Sequence, residues 1–305
     1  MLEKIDGQRR RGEAPWRRPE AAFVKGAAIL TSGMIPGCFQ PWLERWNLAV
    51  DGRPFVTRFG SHLLPVLSGA ELAILKITEQ EEELRGAALM QWFDGVSAAR
   101  VLACEGPALL LERVVGDRSL AEMARRGLDD EATRILCRTA MALHAPHRRP
   151  PPASLVPLTI WFEALQPTAA KYGGVFNKAA VAAASLLSAP QEAVVLHGDF
   201  HHENVLDGGA RGWLVIDPKG LIGERSFEYA NLFRNPDPEV ALAPGQVGRR
   251  ARIVADEAVL DPVRLMKWVL AYAGLSAAWS LQSGHDPGPG LTIAIAEEAA
   301  ALLAN

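Results

Sequence analysis

The sequence predicts an α+β protein of two lobes: a small antiparallel sheet with one helix, then a larger, mainly helical lobe. Three observations carry this. Between Trp46 and Leu111, short apolar or alternating runs are punctuated by turn signals at Asp51-Gly52 and Ser68-Gly69, the pattern of hairpin-linked strands. From Asp129 onward, apolar residues recur at helical spacing. Between the helices of that second half, the stretch Val194–Asn204, VVLHGDFHHEN, brings in a short apolar run and a polar loop. The chain has 305 residues, 49% hydrophobic and 22% charged, a globular balance with enough length for a substantial core.

Residues 1–34 read as an N-terminal arm. Arg9-Arg10-Arg11 and Arg17-Arg18 alternate with Pro15 and Pro19 and sustain no period, which predicts disorder or loose docking. Met34, at the end of the arm, is the expected functional start. Residues 35–114 form the small lobe. Gln40–Trp46 predicts a short helix, and Trp46–Ala49 and Phe55–Phe59 predict strands about a hairpin turn at Asp51-Gly52. Leu63–Leu67 and Leu72–Ile77 follow as two more. Lys76 sits inside the apolar run Ala73–Ile77, and an ammonium there must reach water or an anion, because burying it unpaired costs several kcal/mol. Thr78-x-x-Glu81 predicts a capping box and a helix with an apolar stripe of Leu84, Ala87, Ala88 and Trp92, ended by Asp94-Gly95. Glu83 borders that stripe. Ala108–Leu111 is a further strand, leading into Glu112-Arg113-Val114.

Residues 115–305 form the helical lobe. Asp129 or Asp130 is the expected cap of a helix with Ala132, Ile135, Leu136, Thr139, Ala140 and Leu143 on one face, closed by His144. Pro146–Pro157 is a linker, and helices around Leu158–Ala170 and Lys178–Leu187 follow. Asp261-Pro262 has cap and first-turn chemistry for a helix with Leu265, Val269, Tyr272, Leu275 and Trp279 on its apolar side. Gly284–Gly290 is a turn-rich loop before a last helix, Thr292–Leu303.

The chemistry gathers in the polar loop. Val194–Leu196 reads as a buried strand, followed by His197-Gly198-Asp199 and then Asn204; a second apolar run, Trp213–Ile216, ends at Asp217. Two short strands and a loop thus deliver two carboxylates and an amide to one place. One carboxylate can accept a hydroxyl proton, while an amide and a second carboxylate can hold magnesium on a nucleotide. The spacing H-x-D-x-x-x-x-N resembles the kinase catalytic loop. The variant HGD, with IDP where protein kinases have DFG, resembles the aminoglycoside phosphotransferase family. The string IDPKGLIGERSFEYANLFRNP narrows the resemblance to the branch of streptomycin 6-kinases and hydroxyurea kinases, and it extends from about Phe39 to the C-terminus.

The resemblance implies a protein-kinase-like fold and transfer from ATP, with Mg²⁺, onto a hydroxyl of an aminoglycoside or hydroxyurea, conferring antibiotic resistance. It casts Asp199 as the base, Asn204 and Asp217 as the magnesium holders, and Lys76 as the group on the α/β-phosphates. Glu83 is the expected partner of Lys76, with Glu79, Glu81 and Glu82 as rivals, since the family's acid more often falls where this chain has Arg85 and Gly86. Gly60 and Ser61 would approach the phosphates through backbone N–H groups, and Glu112 and Val114 would pair with adenine through theirs. His201 stands where many protein kinases carry a lysine, beside the γ-phosphate; His197 braces the loop. Within Gly223–Asn235 the expected acceptor contacts are Glu224, Glu228, Asn231 and Asn235, the two glutamates suiting a cationic aminoglycoside. Lys219 belongs to the family string without a role that the sequence supplies.

Other classes fit less well. A net charge of −3 does not suggest a nucleic-acid binder. Cys38, Cys104 and Cys137 are scattered, so neither a disulfide framework nor a cysteine zinc site is expected, and a reducing cytoplasm fits. No apolar run reaches membrane-spanning length, and Lys25 interrupts the signal-like Ala21–Ser32. A metal-dependent hydrolase built on His197, His201 and His202 lacks an H-E-x-x-H helix. A binding-only pseudokinase is opposed by the presence of Lys76, Asp199, Asn204 and Asp217 together. A protein-substrate kinase would want an A-P-E signature after Asp217, and none follows.

Overall fold

A computed structural model describes residues 28–29, 35–57, 60–282 and 290–304. The expected N-terminal arm lies mostly outside those residues, as do Met34 and nearly all of the Gly284–Gly290 loop. The arm contributes β1 (Ala28–Ile29), which pairs antiparallel with β3. After α1 (Gln40–Arg45) come β2 (Leu48–Val50), β3 (Phe55–Val56), β4 (His62–Ser68) and β5 (Glu71–Ile77). Helix α2 (Glu81–Phe93), β6 (Val101–Glu105) and β7 (Ala108–Glu112) complete an antiparallel sheet ordered β1-β3-β4-β5-β7-β6, with β2 also on β4.

Two local expectations fail here. Asp51-Gly52 does not close a hairpin between β2 and β3, because both strands pair with β4, β3 along its start and β2 along its end. The dipeptide lies where the chain passes between them, and Asp51 N donates to Pro65 O. The capping box does not form either. Helix α2 begins after Gln80 with no side-chain cap, and the Thr78 hydroxyl instead accepts from Gln80 N and from Ser61 Oγ.

The stripe of α2 is also rotated from the expected one. Leu84 is exposed, and the buried residues are Glu83, Gly86, Ala87, Leu89, Met90 and Phe93. The reason is the partner. The apolar side of α2 packs in one core with Leu136, Leu196 and Val215 of the helical lobe, whereas Phe39, Leu64, Val66 and Leu75 form a separate small core on the sheet. The far end of α2 is held by the same lobe: Arg149 Nη2 donates to the Gln91 and Trp92 carbonyls, and His147 stacks on Trp92.

The helical lobe contains α3 (Leu120–Met123), α4 (Asp129–Leu143), β8 (Val156–Pro157), α5 (Leu158–Trp161), α6 (Leu165–Tyr172) and α7 (Gly174–Ser188). Strands β9 (Ala193–Leu196), β10 (Val205–Asp207), β11 (Trp213–Val215) and β12 (Leu221–Glu224) follow, then a 3₁₀ stretch over Arg225–Arg234. Helices α8 (Pro238–Ala241), α9 (Gln246–Ala258), α10 (Pro262–Gln282) and α11 (Gly290–Leu302) close the described chain. Neither Asp129 nor Asp130 caps α4; both turn to α9, Asp129 to the buried guanidinium of Arg250 and Asp130 to Arg249. Arg250 also donates to Leu232 O and Asn235 O, so α9 holds the 3₁₀ stretch in place. Asp261 does cap α10, accepting from Arg264 N. Among the described residues no helix is long and apolar enough to cross a membrane.

The strands around the polar loop position its side chains. β9 pairs with β12, not with β11, while β10 and β11 form a hairpin of their own. Two backbone bonds stitch these layers: Ile216 N donates to Asn204 O at 3.0 Å, and Lys219 N to His197 O at 2.7 Å.

Candidate active site

The loop after β9 turns sharply at Gly198, whose φ of +84° and close approach to Leu221 leave no room for a side chain. Neutral His197 then ties its ends: its Nε2 donates to Ile216 O at 2.8 Å and its Nδ1 accepts from Asp199 N at 3.2 Å. Burial lowers its pKa against the pull of Glu228 and Asp199, so the ring serves as a brace. Underneath, the buried Glu228 carboxylate accepts from His197 N at 2.7 Å, from Gly198 N at 2.9 Å and from His144 Nε2 at 3.0 Å.

Asp199 is held by amides. Asn204 Nδ2 donates to its carbonyl at 2.9 Å and to Oδ2 at 3.2 Å, and Asn231 Nδ2 donates to Oδ1 at 2.8 Å. His201 Nε2 lies 3.7 Å from Oδ1, with its Nδ1 accepting from Glu203 N. Burial would raise the Asp199 carboxyl, but His201, the Lys219 ammonium, His197 and the Arg234 guanidinium outweigh it and hold it below the usual range. It is therefore an anion at neutral pH.

Asp217 is held by cations. Lys76, 8% exposed, donates to Glu83 and, at 2.6 Å, to Asp217 Oδ1. Lys219 Nζ donates to Glu83 Oε1 at 3.1 Å, and stands 3.0 Å from Glu82 Oε1 and 4.0 Å from Asp217 Oδ2. Burial opposes the charges of Asp217, Lys76 and Lys219, yet the pairing wins. Lys76 and then Lys219 push Asp217 well below the carboxylate range, and both lysines are held above theirs. Asp217 has a φ of +60°, a sparsely populated conformation that tends to mark functional sites. The segment after it docks on α2: Arg85 Nε donates to Lys219 O at 3.2 Å, and Gly86 lies so close to the Pro218 carbonyl that a Cβ would overlap it.

The stitched backbone thus brings Asp199 with Asn204 against Asp217 with Lys76. The donor set fits a hard cation. The amide nitrogen of Asn204 is committed to Asp199, which leaves Oδ1 outward, and Asp217 stays anionic with 38% of its side chain open. The three histidines diverge instead of sharing a metal. His197 bonds Ile216, His201 faces Asp199, and His202 is fully buried 3.9 Å from Asp129. Among the described residues no group of three His, Cys, Asp or Glu could hold a metal.

Several other predicted residues are engaged within the fold. The N–H groups of Gly60 and Ser61 are engaged inside their own turn, with Thr57 O and Thr57 Oγ1. The pairing expected between them and phosphate therefore needs that turn to open. Glu112 ends β7, its buried side chain accepting from Arg100 and Arg211, and half-buried Val114 packs on the main core. Glu224 is no acceptor contact: it is 1% exposed and bound by Arg264, Trp268 Nε1 and Gln191 N. Glu228 is equally buried and committed to the loop. Asn231 faces Asp199, and Asn235 Nδ2 donates to Asn231 O at 2.9 Å. Arg234, three positions after Asn231, and Lys219 join the site although neither has a role that the sequence supplies.

Residues 45–284 match the family model described as aminoglycoside/hydroxyurea antibiotic resistance kinase. A streptomycin 3''-kinase from Klebsiella pneumoniae is 47% identical over 85% of this chain and 98% of its own length. A hydroxyurea phosphotransferase from Kitasatospora aureofaciens is 29% identical over 97% of this chain and 84% of its own. Among solved structures, a thermostable mutant of an aminoglycoside phosphotransferase superposes with a TM-score of 0.61 at 16% identity, covering 86% of this chain and 99% of that one.

Proposed function

The chain belongs to the aminoglycoside/hydroxyurea antibiotic resistance kinase family, and from that premise we propose that it transfers the γ-phosphoryl group of ATP to the 3''-hydroxyl of streptomycin and so confers resistance to it. It is a phosphotransferase with hydroxyl acceptors. The observation that carries the mechanism is the junction of Asp199 and Asn204 with Asp217 and Lys76. The choice of acceptor is supported by the extent of the likeness to the streptomycin 3''-kinase.

In this reading the streptomycin hydroxyl gives its proton to Asp199, its oxygen bonds the γ-phosphorus, and the bond to ADP breaks with the electron pair leaving on ADP. Positioned base help of this kind is worth roughly 10²–10⁴ in rate. Lys76 moves its contact from Asp217 to the nucleotide phosphates, while Lys219 keeps Glu83 paired. Asn204 and Asp217 would hold Mg²⁺, which when bound neutralises charge on the phosphates. In this reading the enzyme works in the cytoplasm, where ATP is supplied.

The test is ADP release with Mg–ATP and streptomycin or hydroxyurea as acceptor, with the phosphate located in the product by NMR. Streptomycin phosphorylated at the 3'' position is expected. Turnover of hydroxyurea without streptomycin would overturn the acceptor.

A further inference from the structure

Asp199 is gripped by a chain of contacts that starts on α10. Ser276 Oγ accepts from Arg234 Nη1, and the Arg234 guanidinium lies 5.8 Å from the ring centroid of Tyr272, one turn earlier on the same helix. Arg234 Nε then donates to Asn231 Oδ1 at 2.8 Å, and Asn235 Nδ2 stands 3.4 Å from the same oxygen. A guanidinium has donors and no acceptor. The amide oxygen of Asn231 must therefore face Arg234, which leaves Nδ2 to face Asp199, where it donates to Oδ1. The opposite rotamer would set oxygen against oxygen.

We propose that Asn231 is the positioning residue of Asp199, and that Arg234 sets the polarity of its amide. This rests on reading Asp199 as the base. Asn204 holds one carboxylate oxygen and Asn231 the other, so the plane of the carboxylate is fixed while lone pairs remain for the incoming hydroxyl proton. The two amides come from different elements, the loop after β9 and the 3₁₀ stretch, so neither alone fixes the plane. Both act through Asp199, Asn231 directly and Arg234 by way of Asn231.

The test is steady-state kinetics with Mg–ATP and streptomycin, or hydroxyurea if that is the acceptor turned over, with ATP affinity and Tm measured on each variant. Asp199→Asn decides the premise: wild-type turnover there sinks the base reading, and this proposal with it. If Asp199 proves essential, Arg234→Met should lower kcat about 10- to 100-fold, the scale of one hydrogen bond to a charged group, with KM for ATP unchanged within about 2-fold. Arg234→Lys keeps a donor and should restore most of that loss. Arg234→Glu offers only acceptors and should be slower than the methionine variant. Because the two residues act in series, Asn231→Ala/Arg234→Met should be no slower than Asn231→Ala. Additive losses, an undisturbed methionine variant, or a loss of kcat, ATP affinity and Tm together that lysine does not rescue would each overturn the relay and leave the base reading standing.

Discussion

Asp199 and Asp217 lie on segments stitched by backbone hydrogen bonds, their side chains 26% and 38% open, yet opposite chemistry holds them. Neutral amides fix Asp199 at both oxygens, whereas Asp217 rests against Lys76 with Lys219 nearby. A carboxylate held by ammonium groups can exchange one cation for another, which suits a metal-binding group. A carboxylate held by amides keeps its charge and its orientation while leaving lone pairs open, which suits a base. The supports differ accordingly. The cation cluster spans both lobes, through β5, α2 and the segment after β11, whereas the amide grip lies wholly in the helical lobe.

The largest expected effect breaks the cation side. Glu83→Ala takes from Lys76 one of its two carboxylate partners and leaves it with Asp217, while Lys219 keeps Glu82. Removing one member of such a buried pair costs about 3–5 kcal/mol. Urea denaturation should show a loss of that size with KM for the acceptor unchanged; a neutral variant would mean that the cluster adds nothing to stability. Next, Glu228→Gln loosens the loop under Asp199. One amide cannot accept from two backbone N–H groups and His144 as a carboxylate does, and leaving such donors unsatisfied costs about 1–3 kcal/mol.

That same change has a pH signature. Burial would raise the Glu228 carboxyl, but the His144 hydrogen bond and its charge outweigh it, so its folded pKa is depressed. Its contribution to stability is then present above the unfolded value of about 4.3 and is lost as pH falls through the folded pKa. The stability gap between wild type and Glu228→Gln should close on acidification, and a gap that stays constant to low pH would contradict the account. The smallest effect is on geometry. Gly86→Ala presses a methyl on the Pro218 carbonyl, an overpacking cost of about 1–3 kcal/mol that can be relieved by a shift of α2. KM for ATP should rise while KM for streptomycin does not; equal rises in both would dissolve the distinction between the two aspartates.

The two-lobe fold and the central loop were legible because both are written in local spacing. H-x-D-x-x-x-x-N and the strand lysine each fix a side chain relative to a few neighbours in sequence. What stayed hidden depends on partners far along the chain. Glu224 and Glu228 read as surface acids, but Arg264 and His144 come from other elements to cover them. Asp129 and Asp130 have cap chemistry, yet Arg250 and Arg249 of α9 claim both. Leu84 fits an apolar stripe, but α2 packs against the helical lobe as well as flanking the sheet, and that turns Leu89 and Met90 inward instead. Glu83 was within reach because it borders either stripe. Asn231 was singled out for the acceptor and faces the proposed base, a distinction set by the rotamer of one amide.

The central claim is that Asp199 takes the acceptor's proton while the groups around Asp217 hold the nucleotide. Asp199→Asn, at saturating Mg–ATP and streptomycin, tests it in one single-turnover experiment with nucleotide affinity measured alongside. The account predicts phosphoryl transfer slowed by about 10²–10⁴ with ATP affinity unchanged. Transfer at the wild-type rate, or a loss fully explained by failure to bind ATP, would contradict it.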